Sequence, residues 1–438
     1  MSPASGLDTR SLPGPETISR RQLDNGLVVL AREAFSSPSV VIMGRLPVGS
    51  ISDPDSQLGL AHLTASGLMR GTSRREFSAI YDSIESIGAS LSFSAGMHST
   101  SFRGKALAED LGTLLDLLAE VLSEPTFPAR PIERLKASRL TALAMRDQDT
   151  GSRAQMAFDR LAYPGHPYAR PTDGDRQTVA SLKAADLRRF HRAYYSPAGA
   201  QVAVVGAVPA AAAMEAVEAR LGGWRARPNK EQPGLPSLKA IKSLRRKDIA
   251  IPGKIQSDLV LGVPGPSRYD PEFLAASLGN NILGRFGMFG RIGDVVRQEA
   301  GLAYYAMSSL DGGPGPGAWQ VIAGVNPANV EQAISLMRRV IKTFISSRVP
   351  ADELNENTAN LIGRLPLQLE TNEGVAGALL HIERYQLGLD YYQRYPDLLA
   401  AIDAEQVLET ARRFLHPDRL AIATAGPGSE AHDVVRRR

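Results

Sequence analysis

Apolar residues along the chain fall into two rhythms. Segments 26–33, 39–46 and 201–206 are short runs rich in valine, leucine and isoleucine, and read as β-strands. Segments 57–70, 105–123, 132–147 and 184–195 place apolar residues three and four apart, which predicts helices. The two kinds mix without a regular strand–helix–strand alternation. The expected fold class is therefore α+β, with antiparallel sheets packed against helices.

The pattern also repeats. Residues 184–206 (AADLRRFHRAYYSPAGAQVAVVG) and 404–426 (AEQVLETARRFLHPDRLAIATAG) share one order: a helix, a proline turn, then an apolar strand ending in glycine. Pro197 matches Pro417, and Gly206 matches Gly426, about 220 positions later. A helical set upstream, Leu111, Leu115, Leu118, Val121 and Leu122, returns at nearly the same offset as Val330, Ile334, Met337, Val340 and Ile341. Two matches at one offset predict two homologous domains. Between them, residues 227–240 (RPNKEQPGLPSLKA) hold three prolines and no apolar periodicity, the composition of a linker. The expected domains are 20–226 and 241–430. Residues 1–19 read as a flexible lead-in, and 431–438 as a basic tail.

Composition narrows the function. The 438 residues are 43% hydrophobic and 22% charged, with a net charge of +4. That balance gives no footprint for nucleic acid. With no cysteine, disulfides and thiolate metal sites are excluded. No apolar stretch is long enough for a membrane span. The first residues lack the apolar core of a signal peptide. The compartment is left between the cytoplasm and, with a leader already removed, the periplasm.

The most informative segment is GLAHLTASGLMRGT, residues 59–72. It resembles the GLAHxxEHxxxxGT motif of the pitrilysin/insulinase-type zinc peptidases, which include the mitochondrial processing peptidase branch. Two histidines at i and i+4 share one helix face and bind one zinc, and the glutamate between them is the general base. Here His62 holds the first ligand position. Ala65 replaces the base and Ser66 the second ligand. The family's third ligand, a glutamate further along, falls near Ala142, and no glutamate occurs between Glu133 and Glu215. Asp147 and Asp149 are the nearest acids and lie in a turn-like RDQDTGS segment. Taken alone, His62 reads as a helix histidine hydrogen-bonded locally. No metal is expected on this chain. The resemblance extends through LDNGLVVL, PVGSISD and residues 165–206, and so covers nearly the whole chain.

A second family motif stands intact. Within VVRQEAGLAYYAMSS, Arg297 and Tyr304 keep the family's Arg-x₆-Tyr spacing around GLAY. On spacing alone, Arg297 reads as a surface helix residue and Tyr304 as a strand residue at a core edge. The resemblance implies more: such a pair reaches the zinc site of another half-molecule or partner chain, the tyrosine donating to the oxyanion and the arginine orienting the peptide. Just upstream, Gly284, Gly287 and Gly290 belong to a glycine-rich run at the place of the family's substrate loop. It reads equally as a connector before a helix. DGGPGPGAW, residues 311–319, reads as a hairpin turn.

The resemblance thus implies a zinc-less subunit. It would pair with a homologous HxxEH-bearing peptidase subunit that holds the zinc, and supply Arg297 and Tyr304 for cleavage of unfolded peptides. The alternative is a scaffold of the same fold, as the core subunits of respiratory cytochrome bc complexes are.

Overall fold

The computed structural model describes residues 9–225, 232–288 and 290–427. Their strands form two sheets. The first contains β1 (Ser19–Gln22), β2 (Val28–Glu33), β3 (Ser39–Leu46), β4 (Ser90–Ala95), β5 (Thr100–Leu107) and β6 (Gln201–Gly206), in the order β1-β2-β6-β3-β5-β4. The second contains β7 (Arg245–Ala250), β8 (Ser257–Pro264), β9 (Ala303–Leu310), β10 (Ala318–Val325) and β11 (Ala421–Gly426), in the order β7-β11-β8-β10-β9. Without β1, the orders coincide: β2 corresponds to β7, β6 to β11, β3 to β8, β5 to β10 and β4 to β9. The duplication read from two sequence matches is present in the whole topology.

Each sheet is mixed rather than wholly antiparallel. β2 and β6 run parallel, as do β7 and β11, while the other pairs are antiparallel. The cause is connectivity. β6 returns after a long helical excursion and inserts between the consecutive, oppositely directed β2 and β3. An inserted strand must run parallel to one of its two neighbours.

One face of each sheet is covered by helices of its own half. Leu60–Gly67, Leu111–Ser123 and Ala184–Tyr194 pack on the first sheet, and Phe273–Gly284, Val330–Phe344 and Ala404–Phe414 on the second. The other face is covered by exchange. Helix Asn372–Tyr385, from the second half, lays Val375, Leu379 and Ile382 against Val28, Leu30, Val41, Ala203 and Val205. Helix Thr150–Ala162, from the first half, lays Ala154 and Phe158 against Val260, Ala421 and Ala423. Covered on both faces, β6 and β11 are buried at every position. This explains why QVAVVG and AIATAG are nearly unbroken apolar runs rather than alternating ones. A fully buried Phe or Leu at these faces contributes about 1.5–3 kcal/mol.

Three local readings change. The helix expected over 105–123 begins at Leu111, because Lys105–Leu107 end β5, whose residues alternate buried and exposed. Within the lead-in expected to be flexible, Leu12 and Ile18 are buried, and Ile18 joins the core under helix Asn372–Tyr385, while Pro15, Glu16 and Thr17 stay exposed. Helix Thr150–Ala162 stands where the sequence reading left only a turn, and Asp149 caps it by accepting from Ser152 N at 2.7 Å. Residues 232–244 contain no helix or strand. The remaining linker positions at 227–231, residues 1–8 and the basic tail lie outside the described residues.

Candidate functional site

The motif helix Leu60–Gly67 is set by its N-terminus. Asp53 accepts from Gly59 N at 2.9 Å and Ala61 N at 2.8 Å, satisfying two of the helix's orphan donors. Gly59 has φ +91°, and a Cβ there would stand 2.8 Å from the Asp173 carbonyl. The loop carrying Asp173 is therefore pressed onto this helix start. His62 and Ser66, one turn apart, are both half-buried, whereas Ala65 is fully buried in the first core.

Facing them is helix Ala129–Gln148. Arg139 reaches Asp173 at 2.5 Å, and Arg146 reaches the same carboxylate at 2.5 Å. Ala142, on the same flank, is exposed. Burial holds the His62 imidazole below its usual range, the Arg139 charge lowers it further, and Asp173 and the Ala95 carbonyl oppose the shift. Asp147 lies within 4.0 Å of Arg146 and Arg153, so neither it nor the capping Asp149 stands in for the missing glutamate.

These residues do not fit a zinc ion. Besides His62, the motif positions offer a hydroxyl at Ser66 and methyls at Ala65 and Ala142, and the nearby carboxylate, Asp173, is already paired with Arg139 and Arg146. Among the described residues, no group of three or more His, Cys, Asp or Glu could hold a metal. Elsewhere, His166 accepts from Tyr168 N at 3.1 Å within its loop, and His381 and Glu383 diverge to Tyr392 and Arg20.

The second motif is arranged differently. Arg297 lies on a π-helical turn, Asp294–Glu299, half-buried, with Nη1 3.8 Å from Met288 Sδ. Tyr304 lies on β9, an outer strand of its sheet. The β9–β10 register pairs Tyr305 with Gly324 and Ala303 with Val325, so Tyr304 is the extra residue of a β-bulge. Its side chain is 83% exposed. Tyr305 turns inward instead, donating to Asp258 at 2.5 Å, which also accepts from Thr150 of the exchanged helix.

Of the glycines, Gly284 packs so closely on β9 that a Cβ would meet Ser308 N at 2.4 Å. Gly290 has φ +58°, and its Cβ would stand 2.5 Å from the Ile282 carbonyl. Packing within the chain accounts for both. Gly287, at φ +56°, is exposed with open space around it. The expected hairpin turn at 311–319 joins β9 to β10.

A cavity of about 830 Å³ separates the halves. Arg146, Asp159, Tyr163 and Asp173 line it from one side, and Asp258, Tyr305, Asp311 and Gln320 from the other. Burial pushes Asp159 up to about 7, with the Asp311 charge adding to the shift against a hydrogen bond from Gln155. A duplicated chain is expected to bury an interface or enclose a cavity between its halves, and this cavity is lined from both; no single motif names its walls.

Comparison with known proteins fits this geometry. Residues 28–176 match the insulinase family of M16 peptidases, and residues 181–361 match the M16 peptidase inactive domain. The chain belongs to the M16 peptidase family. His62 falls in the first matched segment, and Arg297 and Tyr304 in the inactive-domain segment. Among M16-like relatives, an uncharacterized zinc protease of Streptomyces coelicolor is 26% identical, covering 96% of this chain and 93% of its own length. Human mitochondrial cytochrome b-c1 complex subunit 1 is 26% identical over 60% of this chain and 55% of its own. The crystal structure of a peptidase M16 inactive domain from Pseudomonas fluorescens superposes with TM-score 0.87 at 26% identity, covering 94% of this chain and 98% of its own. A Helicobacter pylori protease, 19% identical, shares the fold with TM-score 0.86 over 95% of this chain and all of its own. Among the described residues, no helix of this M16 protein is long and apolar enough to cross a membrane.

Proposed function

We propose that this chain is the zinc-less subunit of a heterodimeric zinc metalloendopeptidase. An HxxEH-bearing homologue would hold the zinc and supply its activated water. This chain supplies Arg297 and Tyr304 in trans.

One observation carries the reading. Tyr304 sits at a bulge on an outer strand, 83% exposed, while its neighbour Tyr305 takes the inward position. A hydroxyl so placed is available to a second chain. It can donate to the oxyanion that develops on a scissile carbonyl, and Arg297 can orient the peptide through its carbonyls or a carboxylate. The degenerate motif around His62 supports the same division of labour. The substrate is an unfolded peptide held in extended form, adding to a free sheet edge.

The test is reconstitution with an HxxEH-bearing M16 homologue from the same source. Light scattering on the eluted mixture should give a one-to-one complex, and metal analysis of that complex one zinc, which is lost when the partner's motif is substituted. Failure of the two chains to associate, or stoichiometric zinc in this chain alone, would remove the proposal. The second reading, a structural protein, is favoured by the similarity to cytochrome b-c1 complex subunit 1. It predicts assembly without any change in proteolysis.

A further inference from the structure

Three arginines meet where the two halves join. Arg45 lies on β3, on the face packed by helix Asn372–Tyr385, and Arg384 lies in the last turn of that helix. Arg268 follows β8 in the second half. Tyr385 links Arg384 and Arg268, and the Arg384 charge acts on Arg45. The Arg384 guanidinium is 5.1 Å from the Tyr385 ring centroid and that of Arg268 is 5.8 Å away, while the Tyr385 hydroxyl donates to the Gly312 carbonyl at 2.9 Å. Arg268 also stacks on Phe273 at 4.8 Å and donates to Tyr391 Oη at 2.8 Å. Arg45 donates to Gln201 Oε1 at 3.3 Å.

No counter-charge accompanies them. Among the described residues, none of the three has a carboxylate within 4.0 Å. The adjacent Glu383 is committed to Arg20, at 2.7 and 2.8 Å. The Nε atoms of Arg45 and Arg384 are buried without a hydrogen-bond partner. Two histidines feel the resulting field. His98 and His381 are each pushed down to about 4, first by burial and then by these arginines. Burial and the Arg384 charge bring Arg45 itself to about 10.

All three are half-buried; gathering partly desolvated cations without an anion is unfavourable, and one bound carboxylate relieves both the repulsion and the unpaired donors. Guanidinium groups match a carboxylate's geometry through paired hydrogen bonds. The cluster also adjoins the interdomain cavity, since His98, Tyr168 and Gly312 line its wall. His98 bonds Tyr168 there at 2.7 Å.

We propose that Arg45, Arg268 and Arg384 form a carboxylate-binding site at the domain junction, and that its ligand is a carboxylate of a bound peptide. The anion site stands on the arginine geometry alone, whereas the peptide as ligand rests on the function proposed above. Two sources share this chemistry: a peptide's C-terminus and an acidic side chain.

The test uses this chain alone and a fluorescein-labelled unfolded peptide with one internal glutamate and a free C-terminus. Its affinity is compared, by anisotropy, with that of the C-terminal amide and of the Glu→Gln peptide. One of the two changes should weaken binding about tenfold, and which one names the source. Arg384→Gln and Arg45→Gln should each weaken binding of the parent peptide and abolish the difference. Citrate, compared with sulfate at equal ionic strength so that general salt stabilisation is matched, should raise the wild-type Tm but not that of Arg384→Gln. If a variant fails to fold, the wild-type peptide comparison and the citrate shift still decide. Equal binding of all three peptides, with no citrate shift, overturns the site. A citrate shift without peptide binding keeps the anion site and overturns the peptide as its ligand. Neither result depends on a partner subunit or on turnover, so failure here is separable from failure of the proposed function.

Discussion

Arg139 donates to Asp173 at 2.5 Å, and both charges act on His62, the family ligand position that keeps a histidine. The ion pair adds charge next to a motif in which Ala65 and Ser66 stand at the base and second-ligand positions. Restoring the family residues with Ala65→Glu, Ser66→His and Ala142→Glu should therefore give weak zinc binding. Adding Arg139→Ala to that variant should tighten binding about tenfold or more, as a competing cation is removed. Competition against a chromogenic chelator measures this. Tight stoichiometric zinc in the triple variant with Arg139 intact would contradict the account.

The exchanged helices make the two halves interdependent. Phe158 is fully buried where helix Thr150–Ala162 meets the second sheet. Phe158→Ala should cost about 3–5 kcal/mol in urea unfolding, as large-to-small core changes do. A cost under about 1 kcal/mol would mean that the exchange is dispensable.

Asp159 predicts a pH dependence. Its ordinary value is 3.8, and in the folded chain burial, then Asp311, hold it up to about 7. The unfolded chain thus releases this proton first. The stabilising contribution is complete below about pH 4 and is lost as pH rises through 7. Asp159→Asn keeps the acceptor for Gln155 and removes the ionisation, so it should flatten the fall in stability between pH 4 and 7. An unchanged slope in urea midpoints across that range would contradict the assignment.

Gly287 and Gly290 share a positive φ but differ in surroundings. Gly287→Ala meets open space and should cost only the conformational strain, about 1 kcal/mol. Gly290→Ala adds a clash with the Ile282 carbonyl and with Gly284, and should cost clearly more. Thermal unfolding of the two variants orders them. Equal costs would show that the turn yields without resistance.

What the sequence disclosed follows from the range of the interactions involved. β6 was legible because burial on both faces writes an unbroken apolar run. The end of β5 was not, because Lys105 and Leu107 on its exposed face blurred the boundary with the next helix. Arg297 and Tyr304 were legible by spacing, but the exposure of Tyr304 depends on a bulge against Gly324 and Val325, which no local pattern announces. Helix Thr150–Ala162 carries a small Ala and Phe face whose partner strands lie in the other half of the chain. Arg45, Arg268 and Arg384 are likewise brought together by topology alone.

The central claim is tested most directly by turnover in a reconstituted pair. Tyr304→Phe, introduced in this chain only, should lower cleavage of an unfolded peptide by about 10²–10³-fold, the scale for loss of one oxyanion donor. The partner's zinc content and the one-to-one association should not change. Unaltered turnover at full association would contradict the account and leave Tyr304 a surface residue of a structural subunit.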